Sequence, residues 1–93
     1  MRIIKYYNKW VIMRLDKFLK VSRLIKRRTV ANEVSDMGRV LINGNPAKAA
    51  KQVKENDIIT IEYANRTVKA KVLKVPTGNV SIQESSTLYE LLD

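Results

Sequence analysis

Leu15, Phe18 and Leu19 recur at i, i+3 and i+4 and predict a short helix over residues 14–21, with Ser22 near its end. Arg14, Lys17 and Lys20 share the opposite, solvated side. Val30, Ala31, Val34 and Met37 also keep helical spacing and predict a second helix. Thr29 stands there as N-cap or first-turn residue, since its hydroxyl can accept a free backbone N–H. Gly38 follows the last apolar position and suits the left-handed site that ends a helix.

After Gly38 the period changes. Val40-Leu41-Ile42 reads as a short strand closed by Asn43-Gly44, the strongest short hairpin signal. Pro46 keeps the next segment from pairing as a central strand, and Asn56-Asp57 makes another turn. Residues 58–63 and 67–75 read as two strands of a hairpin joined at Ala64-Asn65-Arg66, with Val68, Ala70 and Val72 on one face of the second. Pro76-Thr77-Gly78-Asn79 closes the sheet, and Leu88, Leu91 and Leu92 at helical spacing predict a short terminal helix. The fold class expected is α+β: two short helices packed on a small, mainly antiparallel sheet, with a short C-terminal helix. Residues 13–75 form the domain and residues 76–93 an acidic tail. Residues 1–12 continue no helical stripe and hold the only Trp, two of the four Tyr and three cations. They read as an extension ahead of a natural start at Met13, or as an extra basic-aromatic RNA contact.

A chain of 93 residues allows one core and little room for a deep pocket. It contains no Cys and no His, which excludes disulfides, thiolate or histidine metal ligation and the Ser-His-Asp triad. No metal, cofactor or catalytic residue is expected, and the chain does not read as an enzyme. No apolar run approaches the roughly 18–20 residues of a membrane span, and the default is a cytoplasmic, non-redox protein. With 45% hydrophobic residues the chain has the composition of a folded domain.

Charge changes the picture most. Lys plus Arg is 18 and Asp plus Glu is 9, a net +9. Residues 14–28 hold seven cations (Arg14, Lys17, Lys20, Arg23, Lys26, Arg27, Arg28) against one acid, Asp16. Solvated faces usually mix signs, whereas self-repulsion of this kind calls for a polyanion to neutralise it. A membrane surface fits poorly, because the apolar face of the first helix is needed for the core. The cations run through a turn onto the N-terminus of a second helix, a corner suited to phosphate. The arginines favour fork-like pairing, and RNA fits better than DNA because no element reads as a major-groove helix. Asp16 reads as a first-turn acid that pairs with a nearby arginine, or as a direct contact to a base or ribose. Glu33 and Asp36 read as a solvated face.

The order Arg14-Leu15-Asp16-Lys17-Phe18-Leu19, Arg28-Thr29-Val30-Ala31, Gly38 to Gly44, then Val53 to Ile58 resembles the alpha-L RNA-binding motif, the module named after small-subunit ribosomal protein S-four. The resemblance covers residues 14–62. Two departures stand out: Arg27-Arg28 where the family often has Ser-Arg, and Asn56-Asp57 where it has Gly-Asp. The run from Arg14 to Thr29 is similar to a stand-alone branch, the ribosome-associated quality control protein P (RqcP) family, related to heat shock protein fifteen.

That resemblance implies binding to the dissociated large ribosomal subunit carrying peptidyl-tRNA, with large-subunit rRNA, tRNA and RqcH as partners and alanine tailing of the stalled chain as the outcome. It implies RNA contacts by Arg14 and Arg28, with Lys17, Arg23, Lys26, Arg27 and Thr29 beside them and Lys48 and Lys51 extending the surface. Asp16 would orient an arginine, and Gly38 and Gly44 would set backbone geometry. Leu15, Leu19, Ala31 and Val34 would be core. A monomer is the simplest expectation. An RNA-targeting accessory module of an rRNA-modifying enzyme, a heat-shock rescue factor without tailing and a structural ribosomal protein remain as alternatives.

Overall fold

Two helices lie against one face of an antiparallel sheet in the computed structural model, which describes residues 12–78 and 80–92. The readings of residues 1–12 as an extension or RNA contact therefore fall almost wholly outside the described residues. The chain runs β1 (Met13–Arg14), α1 (Leu15–Val21), α2 (Arg28–Asp36), β2 (Val40–Ile42), β3 (Asn45–Pro46), β4 (Gln52–Val53), β5 (Ile58–Glu62), β6 (Thr67–Val72), α3 (Ile82–Ser85) and β7 (Tyr89–Leu92). The main sheet has the order β3-β2-β5-β6-β7, and β1 and β4 form a separate two-stranded ribbon.

The i, i+3, i+4 stripe of α1 is fully buried: Leu15, Phe18 and Leu19 have no exposed surface. Strands β2, β5 and β6 turn Val40, Ile42, Ile59, Ile61, Ala70 and Val72 to the same interior by strict alternation. Helix and strand residues join in one cluster. At about 25 cal/mol per Å² of apolar surface buried, this cluster is the main stabilising term of so small a domain.

Helix α1 ends at Ser22, and Arg23 follows with φ +63°. A left-handed residue other than glycine costs about 1–2 kcal/mol. It reverses the chain so that the Ile25 N–H reaches the Leu19 carbonyl at 3.0 Å. Helix α2 starts one residue ahead of Thr29: Arg27 is its N-cap, so Thr29 is a first-turn residue. Its far end is a Schellman motif. Gly38 has φ +84°, its N–H donates to Ser35 O, and Arg39 N–H donates to Val34 O, both at 3.0 Å.

The apolar face expected of α2 is rotated. Val30 and Met37 are 37% and 65% exposed, Val34 is half-buried, and the buried stripe is Ala31 and Ser35. Small residues on that stripe let α2 approach α1 closely, which hydrophobicity alone does not reveal. Ser35 Oγ is buried with no hydrogen-bond partner among the described residues. An unmade buried hydrogen bond costs about 1–3 kcal/mol, and Ala is the better helix former. Ser35→Ala should therefore stabilise the fold by about 1 kcal/mol, seen as a higher urea midpoint at unchanged slope.

Asn43 and Gly44 both have positive φ (52° and 87°) and make a two-residue turn of the I′ class, setting Ile42 opposite Asn45 and Leu41 opposite Pro46. Pro46 lies on the sheet edge as expected. Asn56 takes φ +76°, a left-handed geometry that Asn tolerates, at the turn expected there. The turn side chains lock together: Asn43 Nδ2 donates to Asp57 Oδ1 at 3.1 Å, and Ile58 N–H donates to Asn43 Oδ1 at 2.9 Å.

The terminal segment departs from expectation. Helix α3 spans Ile82–Ser85, capped by a Ser81–Glu84 capping box. The Leu88-Leu91-Leu92 stretch is not helical: Tyr89–Leu92 pairs with β6, Leu91 facing Ala70 and Leu92 facing Lys69. Residues 76–78 thus interrupt the sheet and do not close it. Of the three leucines only Leu88 is buried, while Leu91 and Leu92 are 61% and 37% exposed. Spacing alone fits both periods over so few residues. The open edge of β6 decided for a strand, because an edge strand gains backbone hydrogen bonds from a partner.

Candidate nucleic-acid interface

The basic corner is organised around one buried acid. Asp16 occupies the first turn of α1 and is 2% exposed. Arg14, immediately before the helix, binds it with two contacts: Nε donates to Oδ1 and Nη2 to Oδ2, each at 3.2 Å. Arg28, at the start of α2, brings Nη2 to 3.5 Å from Oδ1. Asn32 Nδ2 donates to Oδ2 at 3.1 Å. One carboxylate therefore ties the two helices and holds two guanidinium groups side by side.

Burial acts to raise the Asp16 pKa. The hydrogen bonds from Arg14 and Asn32 and the positive charges of Arg28 and Arg14 outweigh it, and the net effect holds the carboxyl below its ordinary 3.8. The acid stays ionised and pairs with two arginines at once. The arginine side chains themselves remain 49% and 46% exposed. Each guanidinium carries five donors, so each keeps donors directed at solvent after binding Asp16.

Around this centre the sequence-predicted cations fall into two groups. Arg28, Thr29, Asn32 and Glu33 line a cleft of about 430 Å³ with Asp16 at its base. No described side chain caps α2, and its first turn contains no acid. That helix end therefore offers backbone N–H groups and its positive dipole end beside the arginines. Lys17 lies half-buried on α1, and Arg23, Lys26 and Arg27 are exposed on the turn between the helices. Both ion pairs among the described residues belong to Asp16, which leaves these four cations unpaired there.

Lys48 and Lys51 border a different groove, walled by the β2–β3 hairpin and the loop into β4. Lys48 Nζ donates to the Asp36 carbonyl at the end of α2, at 3.2 Å. Gly38 and Gly44 take positive φ at the helix end and the hairpin.

Two side chains escaped the sequence reading. Asn32 lies one turn after Arg28 on the same helix face, and that i, i+4 relation to an arginine was the available signal. Asp36, read as part of a solvated face, accepts the Ala49 N–H at 2.9 Å and anchors the 47–51 loop to α2. Its partner is 13 residues away in sequence, and no local pattern marks it.

The S4 domain family model matches residues 13–59. A protein of Halalkalibacterium halodurans named RQC P-site tRNA stabilizing factor is 53% identical over 79 residues, covering 85% of this chain and 89% of that protein. The protein of the same name from Bacillus subtilis is 51% identical over 82 residues, covering 86% and 92%. Heat shock protein 15 of Escherichia coli is 37% identical, with 86% of this chain matching 60% of that protein. Among solved structures, trimeric heat shock protein 15 of Vibrio cholerae superposes with a TM-score of 0.78 at 28% identity, over 87% of this chain and 82% of that one. The chain belongs to the S4 domain family and, within it, to the family of the RQC P-site tRNA stabilizing factors.

Proposed function

We propose that the protein binds the dissociated large ribosomal subunit carrying peptidyl-tRNA, holds the tRNA in the P-site and supports RqcH-dependent alanine tailing of stalled chains. The observation that carries this reading is the pair of half-exposed arginines held on buried Asp16 beside an uncapped helix N-terminus. Guanidinium forks at fixed spacing suit phosphate oxygens of folded RNA. The names and identities of the relatives supply the ribosomal context. Arg14, Arg28 and Thr29 form the proposed centre of the interface, with Lys17, Arg23, Lys26 and Arg27 as its basic surround. The acting form we propose is a monomer, a wedge between rRNA and tRNA. Its role would be positional, with peptide-bond chemistry left to the ribosome.

Affinity capture of the tagged protein from cells, with sequencing of the RNA and identification of the proteins recovered, tests the proposal. Large-subunit rRNA, tRNA and RqcH without small-subunit rRNA is the expected result. Recovery of intact ribosomes, or of a modification enzyme without tRNA, would overturn it.

A further inference from the structure

The loop from Ala47 to Lys54 is built directly onto the start of α1. Leu15 N–H donates to Lys51 O at 2.7 Å, and Asp16 N–H donates to Ala49 O at 3.2 Å. In the β1–β4 ribbon Met13 faces Val53 and Arg14 faces Gln52. Met13 and Val53 are buried, so Arg14 and Gln52 share the outer face. The loop walls a groove of about 450 Å³ bordered by Asn45, Lys48, Lys51, Gln52 and Lys54, all exposed.

An acid, Asp57, lines this groove, but its carboxylate is engaged within the fold. Asp57 is 5% exposed, and its two oxygens accept from Asn43 Nδ2 at 3.1 Å and Lys54 N–H at 3.0 Å. Glu55, on the next turn, borders a separate cavity with Lys74. None of the exposed large hydrophobic residues lies on the groove walls, so the surface offers nothing to a lipid interior. Lys48 is committed to the end of α2. The Lys51 and Lys54 ammonium groups make no hydrogen bond to a described residue.

We infer that this groove is a second phosphate-binding strip, continuous with the arginine corner through Arg14 and Gln52. It takes the sugar-phosphate backbone of an RNA strand as point-charge contacts from Lys51 and Lys54, with Asn45 and Gln52 as neutral donors. Such contacts position a strand and do not read its sequence. The inference rests on the RNA-binding reading above and extends it beyond the helix corner.

The test measures binding of the full chain to a mixed-sequence RNA of about 30 nucleotides over a series of KCl concentrations, where each phosphate contact on a single strand adds about 0.7 to the slope of log affinity against log salt. The variants are Lys51→Ala with Lys54→Ala, the same pair changed to Arg, and Arg14→Ala with Arg28→Ala. The lysine-to-alanine pair should flatten the slope by about 1.4 and weaken binding about ten-fold at low salt, and the arginine pair should restore both. Thermal melting shows that each variant folds. A wild-type slope in the folded Lys-to-Ala pair overturns the strip and leaves the corner standing. Weak, salt-insensitive binding by the wild type overturns the RNA reading itself, and the strip with it.

Discussion

Asp16→Ala should destabilise the fold by about 2–3 kcal/mol and weaken RNA binding at the same time. Removing one partner of a buried ion pair costs about 3–5 kcal/mol when a charge is left buried. Here the orphaned groups are guanidiniums 49% and 46% exposed, which water rescues in part, so the lower figure applies. Asn32 Nδ2 would also lose its acceptor. Urea denaturation of both proteins measures the difference.

The pH dependence follows from the lowered pKa. A carboxyl whose folded pKa lies below its unfolded 3.8 contributes stability that is complete above that value and lost as pH falls through the folded pKa. The gap between wild type and Asp16→Ala should therefore be flat from neutral pH down to about pH 5 and shrink only in the acid range. A gap that closed near neutrality would contradict the ionised, hydrogen-bonded acid. The binding arm has its own sign. Deleting an acid raises the net charge of a chain already at +9, and charge alone would tighten binding to a polyanion. Weaker binding despite the added charge identifies Asp16 as a positioning residue. Tighter binding would show that the arginines need no holder.

Arg14→Ala with Arg28→Ala should lower RNA affinity about 30-fold or more, from about 1–3 kcal/mol for each charge-assisted contact. The single losses should not simply add, because both side chains share the Asp16 carboxylate. Arg14→Lys with Arg28→Lys separates charge from geometry. Lysine keeps the positive charge but cannot form the planar two-donor fork, so these variants should recover only part of the loss in a titration at fixed salt. Full recovery would reduce the corner to diffuse attraction. A folded double-alanine variant with unchanged affinity would remove both arginines from the interface.

Much of this site was legible before the tertiary structure. Seven cations against one acid over residues 14–28 located the corner, and the helical stripe of Leu15, Phe18 and Leu19 showed which side of α1 was left for a partner. Asn-Gly and Gly38 fixed their turns because positive φ is a local demand that few residues meet. Asn32 and Asp36 were not legible as site or anchor residues. Their partners, Asp16 and Ala49, lie 16 and 13 residues away, and an Asn or Asp on a helix looks the same whether it faces water or a distant N–H.

The sequence by itself determined the features that depend on neighbours along the chain: the existence of α1, α2 and the two hairpins, the turn residues, and the concentration of charge. Tertiary packing alone decided the rest. The close approach of α1 rotated the buried face of α2 onto Ala31 and Ser35, and the unpaired edge of β6 drew Tyr89–Leu92 into the sheet where spacing fitted a helix equally well. It also folded Arg14 and Arg28 onto one carboxylate and set the lysine loop against the start of α1. Helical period and turn conformation are settled over a few residues. Which faces meet, and which charges share a partner, depends on burial and hydrogen bonding between segments that the chain brings together only when it folds.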